Sequence, residues 1–226
     1  MVVCHSIVDL VMGAFSKAVP ERIMADSCGC LYNYSMSNDP DRGRRIMFGE
    51  VAPGGIGATA YSDGLNVMAC HVTNCHIPPI EAIEMESPAL YLRREMRSDS
   101  GGAGKNRGGV GYVLSYQLLG DDPQLHHTSQ KSIGGDQGDG GRWVINEGTP
   151  DERVLEYAIG DIENLSKGDT VTHYTPGGGG YGAPFGREVK HVQSDVRSGF
   201  VSVEGALTQY GVRLDPDTFE VLELHR

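Results

Sequence analysis

The sequence predicts an α+β domain spanning 1–226, built mainly from antiparallel strands, with glycine-rich loops and a helix near each end. Three observations carry this. Leu90, Leu92, Arg94 and Met96 alternate with Tyr91, Arg93, Glu95 and Arg97, and after a glycine turn Val110, Tyr112, Leu114, Tyr116 and Leu118 keep the same period of two. That pattern is expected of two antiparallel strands joined by a long, shaped loop. Ile7, Leu10, Val11, Ala14 and Ala18 recur instead at helical spacing. Glycine supplies 32 of 226 residues, about twice the usual share, which suits tight turns and close approach of backbones.

In chain order, Ser6 is the expected cap of the first helix and Pro20 its terminator. Small and polar residues dominate Cys28 to Asn38, and Asn38-Asp39-Pro40-Asp41-Arg42-Gly43 signals a turn before a strand from Ile46 to Val51. Ala52 to Ala58 is a glycine loop whose spacing misses the dinucleotide fingerprint, with no helix pattern behind it. Beyond the two long strands, Asp121 to Gly141 reads as a polar, glycine-rich loop in which His126-His127 is exposed. Trp143 to Asn146, Val154 to Ile159 and Thr170 to Tyr174 are expected as short strands, with a turn at Lys167-Gly168-Asp169. The four glycines after Thr175-Pro176 lack the Lys-Ser or Lys-Thr of a phosphate loop, and a close crossing of chain against chain is the better reading. Ser202 caps a final short helix that Gly211 ends. The core is expected to draw on Ile7, Leu10, Val11, Leu92, Leu114, Leu118, Val171 and Val201.

The net charge of -11 argues against a nucleic-acid surface, which needs clustered Lys and Arg; the one basic cluster, Arg42-Gly43-Arg44-Arg45, reads as a solvated turn. No apolar run reaches the length of a membrane span, and the chain opens on a helix pattern instead of a leader, so a cytoplasmic location is expected. Five cysteines make an odd count, consistent with free thiols, and Cys28-Gly29-Cys30 has no second pair at zinc spacing.

Potential chemistry concentrates in Cys70-His71-Val72-Thr73-Asn74-Cys75-His76-Ile77-Pro78-Pro79-Ile80-Glu81, where the prolines stiffen the exit from a loop that fixes polar side chains. His71, Asn74, His76 and Glu81 are the candidate catalytic residues, as donors, acceptors, ligands or bases, with Glu84 a further orienting carboxylate. Satisfying backbone groups of the loop is the competing role for each. In the second block, Arg97 to Gly109, the candidate substrate-binding residues are Asp99, Gly101, Gly102 and Arg107; a mutual Asp99–Arg107 pair that holds the loop is the favoured role for the charged two.

His71-Val72-Thr73-Asn74, Ile80-Glu81, Glu84, Glu86-Ser87-Pro88, Arg97 to Gly104 and Arg107 to Gly111 together resemble the large, B-type subunit of ATP-dependent hydantoinases such as N-methylhydantoinase, a family that includes 5-oxoprolinase and the acetone and acetophenone carboxylases. Thr175 to Gly182, Asp195-Val196-Arg197 and Tyr210-Gly211-Val212 match its C-terminal end. The resemblance covers nearly the whole chain but only the C-terminal part of the family's subunit. It implies a multi-subunit enzyme that opens a cyclic amide such as a hydantoin or oxoproline, with a ketone carboxylase or a non-catalytic scaffold as alternatives. The implied partners are a nucleotide-binding A-type subunit, a chain supplying the N-terminal half of the B-type subunit, and a small-molecule substrate. ATP and a divalent metal are implied for the complex and not for this chain alone.

Overall fold

The computed structural model describes residues 2–28, 31–69, 71–72, 77–128, 140–156 and 160–225. Helix α1 (Val2–Phe15) leads to β1 (Leu31–Asp39) and β2 (Arg44–Ala52), then α2 (Ile80–Glu86), β3 (Ala89–Met96), β4 (Tyr112–Leu118) and β5 (Asp121–Thr128). The short strands β6 (Arg142–Ile145), β7 (Arg153–Glu156), β8 (Gly160–Ile162) and β9 (Thr170–Tyr174) follow, and α3 (Val189–Arg197), α4 (Val203–Tyr210), β10 (Val212–Leu214) and β11 (Val221–Leu224) complete the order. The α+β expectation holds: every strand pairing is antiparallel, in sheets ordered β2-β1-β5-β8 and β3-β4-β9-β6-β7, with β10-β11 as a separate hairpin.

One hydrophobic cluster draws on both larger sheets. Tyr112, Leu114, Tyr116 and Leu118 of β4 join Trp143, Ile145 and Val171 on one side, and Ala52, Leu125 and Ile162 on the other. A second cluster, Val192, Val196, Val201, Ala206, Tyr210, Val212 and Leu214, knits α3, α4 and β10. Of the expected core, Leu114, Leu118, Val171 and Val201 are buried, but Ile7, Leu10, Val11 and Leu92 are each more than half exposed. Among the residues of α1 whose burial is described, His5 is the one sealed from solvent, and Ile7, Leu10 and Val11 face outward. In β3 Ala89 and Tyr91 pack inward while Leu90 and Leu92 face outward, and the register with β4 shifts only beyond Tyr91; the period of two holds, but the buried phase is the opposite of the one expected.

Other corrections are local. α1 begins at Val2, so Ser6 lies inside it and is not its cap. β5 occupies a stretch expected to be a polar loop, and β1 one for which no element was assigned; in both, alternate residues such as Ser35, Ser37 and Leu125 are buried. α2 and α3 are helices the sequence reading passed over, and β7 and β8 take the place of the one strand expected near Val154. The α4 expectation holds: Ser202 Oγ accepts from Gly205 N at 2.8 Å, and Gly211 takes the left-handed conformation at φ 65°.

The glycine loops cross one another. A Cβ on Gly55 would lie 1.7 Å from the carbonyl oxygen of Gly109, one on Gly109 would lie 1.9 Å from that of Leu65, and one on Gly178 would lie 2.2 Å from that of Ile56. The backbone bonds across the same junction: Gly109 N to Ile56 O, Gly64 N to Arg107 O and Gly102 N to Gly178 O, all at 2.8 Å. Only residues without side chains allow four backbones to approach this closely, and their N–H groups are spent on one another.

Candidate functional site

His5 and Asp9 stand one helical turn apart, so α1 presents them on one face. The chain returns to that face at His71, whose Nε2 lies 2.9 Å from Asp9 Oδ1 and whose ring stacks on His5 at 5.9 Å between centroids and 28° between planes. The carboxylate accepts from Nε2–H, which leaves the lone pair of the neutral ring on Nδ1. Nδ1 is buried and has no hydrogen-bond partner among the described residues. His5 is sealed from solvent; burial, followed by the neighbouring His71, lowers its pKa, and Asp9 acts in the opposite sense. Chemically this is an oriented imidazole with one unused basic nitrogen, the arrangement that serves a general base or a metal ligand.

Of the other expected catalytic residues, Asn74 and His76 lie outside the described residues. Glu81 is exposed on α2. Glu84 is engaged structurally, its Oε1 accepting from Tyr91 N at 2.7 Å. Sequence reading missed His5 and Asp9, although their separation of four on a helical pattern was the available signal.

The second block forms a buttress. Asp99 and Arg107 have separate partners: Asp99 Oδ1 accepts from Ser202 N at 2.8 Å, at the start of α4, and Arg107 Nε lies 3.4 Å from Asp195 Oδ1. Gly101 abuts Gly108, whose carbonyl oxygen would lie 2.2 Å from an added Cβ, and Gly102 N donates to Gly178 O. Asp63, Asp195, Arg107 and Arg187 make one ionic cluster that joins α3 to these crossing loops. Asp63 is held below the ordinary carboxylate range by Arg187 and by the backbone N–H of Arg107, against the opposing effect of burial.

A third polar group lies between the two sheets. Glu50, 2 % exposed, pairs with Arg94 and accepts from Tyr91 Oη at 2.8 Å, while Arg94 Nη1 donates to Pro78 O at 3.1 Å. Burial raises the Glu50 pKa, with Arg94 and the Tyr91 hydroxyl opposing. Nothing in the sequence marked Glu50, which sits near the end of an ordinary strand pattern.

Neither implied cofactor fits the described residues alone. A divalent ion needs several donors; no group of three or more His, Cys, Asp and Glu among the described residues is placed to hold one, and His71 Nδ1 is a single unused donor. A phosphate cradle needs free backbone N–H groups, whereas Gly178 N and Gly179 N already donate to Gly109 O and Asp26 O. Among the described residues, no helix is long and apolar enough to cross a membrane.

Comparison with known proteins matches residues 1–184 to the family Hydantoinase B/oxoprolinase. An uncharacterized protein of Methanocaldococcus jannaschii is 35% identical over 92% of this chain and 37% of its own length. The caprolactamase subunit beta of Pseudomonas jessenii is 31% identical over 93% of this chain and 39% of its own. The crystal structure of that ATP-dependent caprolactamase superposes with a TM-score of 0.77 at 27% identity, over 94% of this chain and 38% of that one. Nucleotide-free acetone carboxylase shares the fold, with a TM-score of 0.75 at 22% identity, over 94% of this chain and 33% of that chain. The chain thus spans less than two-fifths of the length of these relatives.

Proposed function

This chain belongs to the hydantoinase B/oxoprolinase family, and from that premise we propose that it is part of a multi-subunit, ATP-dependent enzyme that opens a cyclic amide such as a hydantoin or oxoproline. The observation that carries the reading is the Asp9–His71 pair with its unused Nδ1, because His71 opens the block that resembles the family motif. In this proposal His71 Nδ1 takes a proton from the water that adds to the ring carbonyl, and the Asp9 carboxylate holds the ring in the required tautomer and stabilises the imidazolium that forms. The buttress of Asp99, Arg107, Gly101 and Gly102 acts at a distance by fixing the loops.

Nucleotide chemistry is attributed to an A-type partner, and donors for a divalent metal to a chain carrying the rest of a B-type subunit. The relatives named as enzyme subunits support an assembly. Ring opening ranks ahead of ketone carboxylation because the caprolactamase is the nearer of the two solved structures in sequence, 27% against 22% identity.

The test uses the complex formed on co-expression with such partners. Substrate-dependent ATP turnover is measured for the parent and for His71→Ala, with assembly checked by native mass spectrometry. Loss of about 100-fold or more in turnover with assembly intact is expected for removal of a general base; unchanged turnover sinks the catalytic reading. ATP use that depends on bicarbonate and a ketone would select the carboxylase instead.

A further inference from the structure

Glu50 and Arg94 form an ion pair where the fold does not require one. Arg94 lies opposite Leu114 in the register of β3 on β4, and Leu114 is sealed in the main hydrophobic cluster, so the arginine stem enters the core side of the sheet. The side chain of Glu50 is 1 % exposed and that of Arg94 19 %. Desolvating two charges offsets most or all of their attraction, and apolar residues in place of a buried pair are often neutral or stabilising. As a stabilising device the pair is also incomplete, because Arg94 Nε is buried with no hydrogen-bond partner among the described residues.

What the pair does hold is backbone. Both oxygens of Glu50 are engaged, one by Arg94 Nη2 and the other by Tyr91 Oη at 2.8 Å, which fixes the carboxylate against the guanidinium. The remaining arm, Nη1, donates to Pro78 O at 3.1 Å. Pro78 and Pro79 have no N–H, so at this point a carbonyl is the backbone's one means of being hydrogen-bonded. Pro78 lies at the exit of the block that His71 opens, and His71 is itself held by Asp9 at 2.9 Å. Past Pro79 the chain is secured twice more: Glu84 Oε1 accepts from Tyr91 N at 2.7 Å, and Arg42 Nη1 donates to Glu86 O at 2.9 Å.

We propose that Arg94, oriented by Glu50, is a positioning residue of the candidate site: its bond to the Pro78 carbonyl anchors the exit of the segment that Asp9 anchors at His71. The inference rests on the reading of His71 as the base. A segment tied at both ends samples fewer conformations than one tied at one end, and misplacing a reacting group by about 1 Å can cost about 100-fold in rate. Arginine suits the task because one rigid fork serves two acceptors at once, whereas lysine offers a single point charge on a flexible stem.

Hydantoin- or oxoproline-dependent ATP turnover is measured in the complex formed with the partner chains, for the parent, His71→Ala, Arg94→Lys and the double variant Glu50→Met with Arg94→Met, with assembly checked by native mass spectrometry. Arg94→Lys should lower kcat about tenfold with KM within about twofold of the parent. The double variant should keep or raise the urea midpoint and still lower kcat by at least that factor; where it fails to fold or loses stability, Arg94→Lys decides alone. A packing role predicts the reverse, a parent kcat per complex in the stable double variant. Parent kcat in either Arg94 variant, or a loss confined to KM or to assembly, overturns the positioning role, while a defect in His71→Ala in the same experiment leaves the base in place. Undiminished turnover in His71→Ala overturns both.

Discussion

Arg187 spans 124 positions of sequence to grip Asp63 with both terminal nitrogens, Nη1 and Nη2 each 2.7 Å from a carboxylate oxygen. The same guanidinium donates Nε and Nη2 to Asp195 Oδ2 at 3.0 and 2.7 Å, so one buried cation ties α3 to the segment between β2 and α2. Fork geometry of this kind is specific to arginine. Its removal leaves Asp195 buried with Arg107, at 3.4 Å, as its one cation among the described residues, and uncompensated buried charge is what makes a broken ion pair costly. Arg187→Ala is expected to lower unfolding free energy by about 3–5 kcal/mol, measured as a shift of the urea midpoint, and Arg187→Lys should recover only part of the loss.

The glycine crossing makes a sharper prediction, because it has an internal control. Gly55→Ala puts a methyl group 1.7 Å from a carbonyl oxygen that is itself part of the crossing, whereas an alanine at Gly13 in α1 meets nothing within 4 Å. Gly13→Ala should raise stability by up to about 1 kcal/mol through helix propensity. Gly55→Ala should prevent a cooperative thermal transition or lower its midpoint steeply. Equal effects from the two would mean that the crossing is looser than the structure shows.

These residues also mark how far the sequence could be read. Strands β3 and β4, the Ser202 cap and the tight crossing at Gly177–Gly180 were legible because each depends on a local pattern: alternation, a capping side chain, or a run of glycines with no phosphate-loop partner. The inward face of β3 was not, since a period of two leaves open which of its two faces is buried, and Ala89 and Tyr91 take that face instead of Leu90 and Leu92. Nor was the orientation of α1, whose apolar stripe has the spacing of a core helix while His5 is the residue buried. Asp9 could not be joined to His71, nor Asp63 to Arg187, because contacts across 62 and 124 positions are products of topology. The same limit separated Asp99 from Arg107: proximity in sequence suggested a pair, and each found its partner in the C-terminal helices instead.

His5 predicts a pH dependence with a definite sign. Its folded pKa is lowered from the ordinary value of 6.5 by burial and by His71, so below 6.5 the unfolded chain binds the proton that the folded chain resists. Stability linked to this group is fully present above 6.5 and is lost as pH falls from there through the folded value. Urea titrations between pH 7.5 and about 5 should show falling stability, and the slope should flatten in His5→Gln. An unchanged slope would assign the acid sensitivity elsewhere. Glu50 acts in the opposite direction: its raised pKa favours the protonated form in the folded state, so its contribution declines as pH rises above 4.5.

Asp9→Asn separates an orienting carboxylate from a merely structural one. The side-chain amide can donate as well as accept, so it can bond an unprotonated Nε2 and drive the proton of His71 onto Nδ1, the nitrogen that the proposed mechanism needs free. Loss of the carboxylate also removes the charge that stabilises the imidazolium, so kcat in the assembled enzyme should fall by about 10- to 100-fold, the usual cost of losing a partner that orients a functional histidine. With that charge gone protonation of the base is disfavoured, so the acid limb of the kcat profile should move to lower pH, and assembly and KM should stay near parent values. A structural role predicts a different outcome: lower stability and poorer assembly, with per-complex kcat and its pH profile unmoved.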